Sequence, residues 1–411
     1  MIAPSRYHPP VKKGASQPPS AVSTRPHRRP TGPIGSVTDT GSARRPLPAC
    51  EKCEVLPAPL PQGTLFNPPP PGHALTKMQG LFSRMGLPAA PAPRGILGVV
   101  LGEGAARRVA VDLSGALSRL ELADGKCLLL PEGAEPSLED LLRFESLQTF
   151  VARSSGDWVV EMLRDGRIET HFQPIVSFDK PLEVFAYEAL LRGRETDGAL
   201  ISPGAILRAA RDANVIFQTD RAARIASIGA VVAKHVETNV FINFTPNSVY
   251  DPAFCLRSTV SAVEEAGLPP SRFVFEVTES DEVRDVDHLL GILSFYRRSG
   301  FRVALDDLGA GYSSLNLLAR LRPDFVKLDM DLIRGIDEDP YKAVVVEKLL
   351  DLAREVGAIS VVEGVETEGE WRWAEAHGAD LAQGFLCARP GAIPPRPFQG
   401  RTAPSPRSGD L

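Results

Sequence analysis

Residues 303–315 read VALDDLGAGYSSL. Val303, Ala304 and Leu305 form the end of an apolar run, as a buried strand would, and Asp306 and Asp307 follow side by side before a glycine-bracketed turn. Adjacent anions repel, and each is costly to bury without a partner. A buried strand that ends on two carboxylates therefore needs positive charge brought to it from elsewhere in the chain.

Working outward from this stretch, short apolar runs recur: HFQPIV, VFAYEALL, NVFINF, RFVFEV, FRVALDD, DFVKLD, ISVVEGV and LAQGFL. Amphipathic stretches such as RAARIASIGAVVAKHV, DVDHLLGILSFYRRSG and YKAVVVEKLLDLAREVG lie between them. Eight strands alternating with helical segments predict an α/β fold, a (β/α)8 TIM-like barrel. Each strand carries a polar residue in its last positions or just beyond: Gln173, Glu188, Asn243, Glu276, Asp306 with Asp307, Lys327, Glu363 and Gln383. One such residue reads as a helix cap or a polar strand end. Eight from separate strands read differently, because a barrel gathers its strand ends at one mouth. Carboxylates packed there raise one another's pKa values unless cations neutralise them. Oxygen ligands without histidine favour Mg²⁺, Mn²⁺ or Ca²⁺ over zinc. Two such ions suit in-line attack of water on a phosphodiester, and Lys327 adds fixed positive charge.

The rest of the chain has a different composition. Residues 1–72 hold 17 of the 37 prolines and nine Lys/Arg against three Asp/Glu, so they read as a disordered, Pro-rich basic tail able to touch an acidic partner. Within it, Cys50 and Cys53 form a lone CxxC, with His73 and Cys127 the nearest further zinc ligands; two reduced thiols are the simpler reading. Residues 74–135 predict a small α/β or β module, beginning with a helix over HALTKMQGLFSRMG and continuing as short strands. Residues 136–154 predict a linking helix with Ser137 as a cap, residues 156–392 the barrel, and residues 393–411 a disordered C-terminal tail. No apolar run is long enough for a membrane span, the opening residues lack a secretory core, and five cysteines make no disulfide framework, so a cytoplasmic setting is expected. A net charge of −5 gives no reason to expect direct DNA or RNA binding.

Glu188-Ala189-Leu190, followed by Leu191 and Arg192, resembles the signature of the EAL-domain phosphodiesterases, which hydrolyse cyclic di-GMP to linear pGpG. QPIV at 173–176, the asparagine of FINFTP, FEVTES, DDLGAGYSSL, VKLD, EGVET and QGFLCARP match in order across about residues 156–392. The resemblance implies metal ligation of Mg²⁺ or Mn²⁺ by Glu188, Asn243, Glu276 and Asp306, with Asp307 completing a second site and Ca²⁺ inhibitory. It implies that Lys327 polarises the attacking water, that Glu363 supports it as general-base element and that Gln383 orders the network. Gln173 and Arg192 would contact the cyclic dinucleotide, and Glu279 would brace the loop after the Asp pair and couple it to a homodimer contact. Leu308 and Ala310 stand where the family has Phe and Thr; neither removes a ligand. No GGDEF-like cyclase segment is present. The competing readings are a catalytically silent receptor for cyclic di-GMP, whose usual mark is a missing ligand, and a phosphodiesterase for another nucleotide.

Overall fold

The computed structural model describes residues 54–56, 62–68, 72–87, 89–92, 96–102, 104–246, 249, 252–278, 286–309 and 314–399. Cys50, Cys53, Glu279 and Ala310 lie outside these residues.

An antiparallel sheet comes first. Its elements are β1 (Gly63–Asn67), α1 (Gly72–Arg84), β2 (Ala89–Ala92), β3 (Ile96–Leu101), α2 (Ala105–Ala116), α3 (Arg119–Asp124), β4 (Lys126–Pro131), β5 (Glu145–Ser146) and α4 (Leu147–Ser155). The strand order is β2-β3-β1-β4-β5. β1 is central, and it lies within the stretch expected to be a disordered tail. Its TLF run buries Leu65 among α1, α2 and α4 and Phe66 on the opposite face of the sheet. The strands expected through 105–124 are helices instead. Ala105, Val109, Ala110 and Leu113 recur at helical spacing and are buried, and Ser118 with Glu121 forms a capping box at the start of α3. The helix expected over 136–154 is divided. Ser137 binds Asp140 through its N–H and hydroxyl, residues 145–146 pair with β4, and Ser146 caps α4. A continuous helix would forfeit that strand pairing. Cys127, one of the two nearest candidates for a further zinc ligand, is sealed in the module core, where burial pushes its thiol up to about 12.

The order of the sheet makes a test. Deleting residues 1–61 removes the contacts of residues 54–56, such as the Gln218 amide on the Val55 carbonyl, and should leave module and barrel folded. Deleting residues 1–72 removes β1 and should unravel the module while the barrel still melts cooperatively. Circular dichroism melting with limited proteolysis separates these outcomes, and an intact module after the longer deletion would contradict the strand order.

The barrel follows: α5 (Asp157–Arg164), β6 (Ile168–Ser177), β7 (Val184–Arg194), β8 (Leu200–Ile201), α6 (Pro203–Asp212), α7 (Ile216–Ala233), β9 (Asn239–Asn243), α8 (Pro252–Cys255), α9 (Arg257–Glu265), β10 (Phe273–Thr278), α10 (Val286–Arg298), β11 (Arg302–Leu308), α11 (Ser314–Leu321), β12 (Phe325–Leu328), α12 (Met330–Ile333), α13 (Pro340–Val356), β13 (Ile359–Val362), α14 (Glu368–Ala376) and β14 (Leu381–Ala382). The sheet closes in the order β6-β14-β13-β12-β11-β10-β9-β7, with β7 returning to β6 and β8 appended to β7. All eight expected strands are present, and they form a TIM-like barrel.

One feature departs from strict alternation. No helix separates β6 from β7, and β6 runs antiparallel to both neighbours. The remaining pairs in the ring are parallel. The expected C-terminal tail also begins later than residue 393. Phe398 is buried, its ring 5.6 Å from that of Trp371, and Tyr187 donates to the Pro395 carbonyl.

Each strand sends one apolar side chain to a common inner layer: Ile175, Ala186, Phe241, Val274, Ala304, Phe325, Val361 and Leu381. This layer plugs the barrel. Strand side chains alternate with period two, so the residue two positions nearer the mouth on every strand shares the inner face. Those residues are Gln173, Glu188, Asn243, Glu276, Asp306, Lys327, Glu363 and Gln383. On β6 the step runs backward along the chain, because that strand is reversed.

Candidate metal centre and its family

Lys327 stands at the centre of the polar layer and is 1% exposed. Its Nζ lies 2.6 Å from Glu363 Oε1, 2.8 Å from Glu276 Oε1, 3.1 Å from Asp306 Oδ1 and 3.7 Å from Glu188 Oε2. Burial alone would favour the neutral amine. Asp306, Glu188, Glu276 and Glu363 together outweigh it and hold the ammonium well above its ordinary range. Burial pushes Glu276, Asp306 and Glu363 upward, and Lys327 offsets this only in part. Glu188 differs: burial pushes it up, but Lys327 and the donors Gln383 and Asn243 bring it below its usual value. Asn243 Nδ2 donates to Glu188 at 2.8 Å and Gln383 Nε2 at 2.6 Å. Gln383 also donates to Gln173 Oε1 at 3.2 Å, and Gln173 donates to the Ala388 carbonyl at 3.3 Å.

Two glycines set this geometry. A Cβ at Gly384 would lie 2.0 Å from the Val365 carbonyl oxygen, so glycine lets Gln383 approach the mouth. Gly309 has φ +106, and a Cβ there would meet Leu332 at 2.4 Å.

The Asp pair has a local explanation. On a regular strand Asp306 and Asp307 would face opposite sides. Here Asp307 has φ 56, in the left-handed region that aspartate tolerates, and the register of β11 on β12 shifts between Leu305 and Leu308. Asp307 N–H bonds Asp306 Oδ1 at 3.1 Å. Carboxylate oxygens of Asp306, Asp307 and Glu363 consequently lie within 4.8 Å of one another. Burial first, then Asp306, pushes Asp307 up to about 6.

Several features fit divalent cations. Five carboxylates, Glu188, Glu276, Asp306, Asp307 and Glu363, surround one ammonium; fully ionised they carry an excess of four negative charges, which divalent cations would offset. Glu276 is fully buried, and although Oε1 lies near Lys327, neither of its oxygens makes a well-directed hydrogen bond; Gln383 Oε1 is likewise without one. Buried polar atoms without partners are rare, and hard oxygen donors suit Mg²⁺ or Mn²⁺. A cavity of about 320 Å³ lies between β7, β9 and the helices α6 and α7, and Asn243 is the one residue of the polar layer that lines it.

The family model for the EAL domain matches residues 157–390, more than half of the 411-residue chain. The chain belongs to the EAL domain family. It is 32% identical over 236 residues to the bifunctional diguanylate cyclase/cyclic di-GMP phosphodiesterase MucR of Pseudomonas aeruginosa, a match covering 56% of this chain and 34% of that protein. It is 30% identical over 236 residues to the cyclic di-GMP phosphodiesterase NbdA of the same organism, covering 56% of this chain and 30% of that protein. The match thus spans about a third of each of these curated relatives. Among solved structures, a standalone versatile EAL protein of Vibrio cholerae O395 in its c-di-GMP bound form is 34% identical, with a TM-score of 0.51, covering 56% of this chain and 95% of that one.

Eight of the residues singled out in the sequence form the polar layer of this EAL barrel, and Asp307 joins it through its left-handed backbone. Arg192 lies further out along β7, where its Nη1 donates to the Leu191 carbonyl at 2.7 Å. Sequence reading missed Glu169, His171 and Arg194, which sit on the same ribbon. Their signal was period two: ETHFQ places 169 and 171 in phase with Gln173, and EALLRGR places 194 in phase with Glu188.

Proposed function

We propose that this chain hydrolyses cyclic di-GMP to linear pGpG in the cytoplasm, through residues 156–392, as a homodimer. The observation that carries the reading is the complete polar layer, with five carboxylates, one asparagine and one buried lysine around a single mouth. Two divalent cations, Mg²⁺ or Mn²⁺, held by Glu188, Asn243, Glu276, Asp306 and Asp307, would supply an activated water and charge for the phosphodiester oxygens. Lys327 keeps its proton and presents fixed positive charge where negative charge develops. Glu363, 2.6 Å from Lys327, can take the proton of the attacking water. Gln383 and Asn243 hold Glu188 in one orientation. Gln173 and Arg192, which share one face of the ribbon, would contact the dinucleotide, and the related EAL structure of Vibrio cholerae is a c-di-GMP bound form.

The test is chromatography of cyclic di-GMP incubated with the protein and Mg²⁺ or Mn²⁺, with EDTA and Glu188→Ala controls. Metal-dependent pGpG from the wild type alone is the expected result. Saturable binding without product would make the chain a receptor, and turnover of other dinucleotides at equal rates would overturn the specificity. Ca²⁺ should bind yet support little hydrolysis, because its looser and longer coordination misplaces the water. Equal turnover in Ca²⁺ and Mg²⁺ would contradict that arrangement.

A further inference from the structure

Beyond the rim, β6 and β7 continue as a two-stranded ribbon whose cross-strand pairs are Gln173–Glu188, His171–Leu190 and Glu169–Arg192. Residues 169, 171, 173, 188, 190, 192 and 194 share one face of it by the period of two. Side chains directly opposite on an antiparallel pair are neighbours, and opposite charges there attract. Arg192 and Glu169 therefore have the geometry to form an ion pair. They do not form it. Glu169 is taken by other partners: Arg194 Nε binds its Oε2 at 2.6 Å and Arg194 Nη2 its Oε1 at 3.0 Å, while His171 Nε2 lies 2.8 Å from Oε1. Arg194 is itself fixed, since its Nη1 donates to the Gly198 carbonyl at 2.8 Å in the turn before β8. Among the described residues Arg192 has no carboxylate partner, and its guanidinium bonds only the adjacent Leu191 carbonyl. It is half-buried, and the negative charges it feels are those of Glu188 and Glu169.

We propose that Arg194 and His171 are positioning residues that sequester Glu169, so that Arg192 stays unpaired for a phosphate of the cyclic dinucleotide. An arginine fork engaged by a carboxylate must lose that bond before it binds a phosphate. The two-pronged hold of Arg194 removes this competition before substrate arrives. The proposal rests on the phosphodiesterase reading.

The test is a rescue experiment on the full chain, with initial rates measured on cyclic di-GMP. Arg194→Ala frees Glu169 to capture Arg192 and should raise KM about tenfold, the factor expected for weakening one charge-assisted contact, with kcat unchanged. Adding Glu169→Gln to Arg194→Ala removes the captor and should return KM to within about twofold of the wild type, a non-additivity that a merely structural role would not give. His171→Ala should cause a smaller loss, again relieved by Glu169→Gln, and this pair carries the test if Arg194→Ala does not fold. An unchanged KM in Arg194→Ala, or a double variant as impaired as the single one, overturns the proposal. A wild type that neither binds nor cleaves cyclic di-GMP overturns the functional reading, and this network with it.

Discussion

Lys327→Met should lower kcat by about two to three orders of magnitude at saturating metal while shifting the affinity for cyclic di-GMP only a few-fold. The reason is position. The ammonium is buried beneath the mouth, on the layer directly above the apolar plug, and four carboxylates hold it in place. On the phosphodiesterase reading it would act from there on charge that develops during reaction rather than on a bound ground-state ligand. Equal losses in kcat and affinity would show uniform binding and defeat the assignment. The same substitution has a second readout. With the ammonium gone, the surrounding carboxylates have no cation in metal-free protein. Breaking a buried ion pair from one side costs about 3–5 kcal/mol, which for a domain of this size lowers the melting temperature by roughly 6–20 °C. Much of that loss should be recovered on adding divalent metal.

The polar layer was legible in the sequence because the chemistry and the periodicity coincide. On every strand an apolar residue of the plug is followed, two positions toward the mouth, by a polar one, and neither is disguised by its neighbours. Ala304 and Asp306, or Phe325 and Lys327, read as a pair in one line of sequence. What could not be read is direction. Gln173 lies in mid-strand because β6 runs backward, and only strand pairing reveals that. The same holds for Glu169 and Arg194, whose partnership joins residues 25 apart in sequence. Local signals were lost where composition outweighed them. The prolines around TLF hid the central strand β1, and the valine–alanine content of α2 concealed a helical spacing that buries Val109 and Leu113 without any exposure. The left-handed backbone of Asp307 had no signal beyond the glycine two residues later. It is nevertheless the feature that turns two adjacent aspartates into one centre.

Glu276→Gln should have opposite effects on the metal-free and metal-loaded protein. Glu276 is fully buried, burial drives its carboxyl well above the ordinary range, and Lys327 offsets that only partly. In metal-free protein its charge is a liability, since three other carboxylates already face Lys327. A neutral amide of the same shape relieves the repulsion, so the apo variant should melt at a higher temperature than the apo wild type. With Mg²⁺ or Mn²⁺ the order reverses. A ligand at a hundred times its Kd stabilises the native state by about 2.7 kcal/mol, or roughly 5–11 °C here, and the variant should lose most of that gain together with about a thousandfold of turnover. Differential scanning calorimetry of both proteins, stripped with EDTA and then titrated with metal, reads both signs. If the apo variant melts lower than the apo wild type, the carboxylate is a structural partner of Lys327, and its bonding to the ammonium is stronger than its geometry indicates. If metal stabilises both proteins equally, Glu276 is not a ligand, and the excess charge of the cluster must be met through Asp306, Asp307 and Glu363, whose oxygens already lie within 4.8 Å of one another.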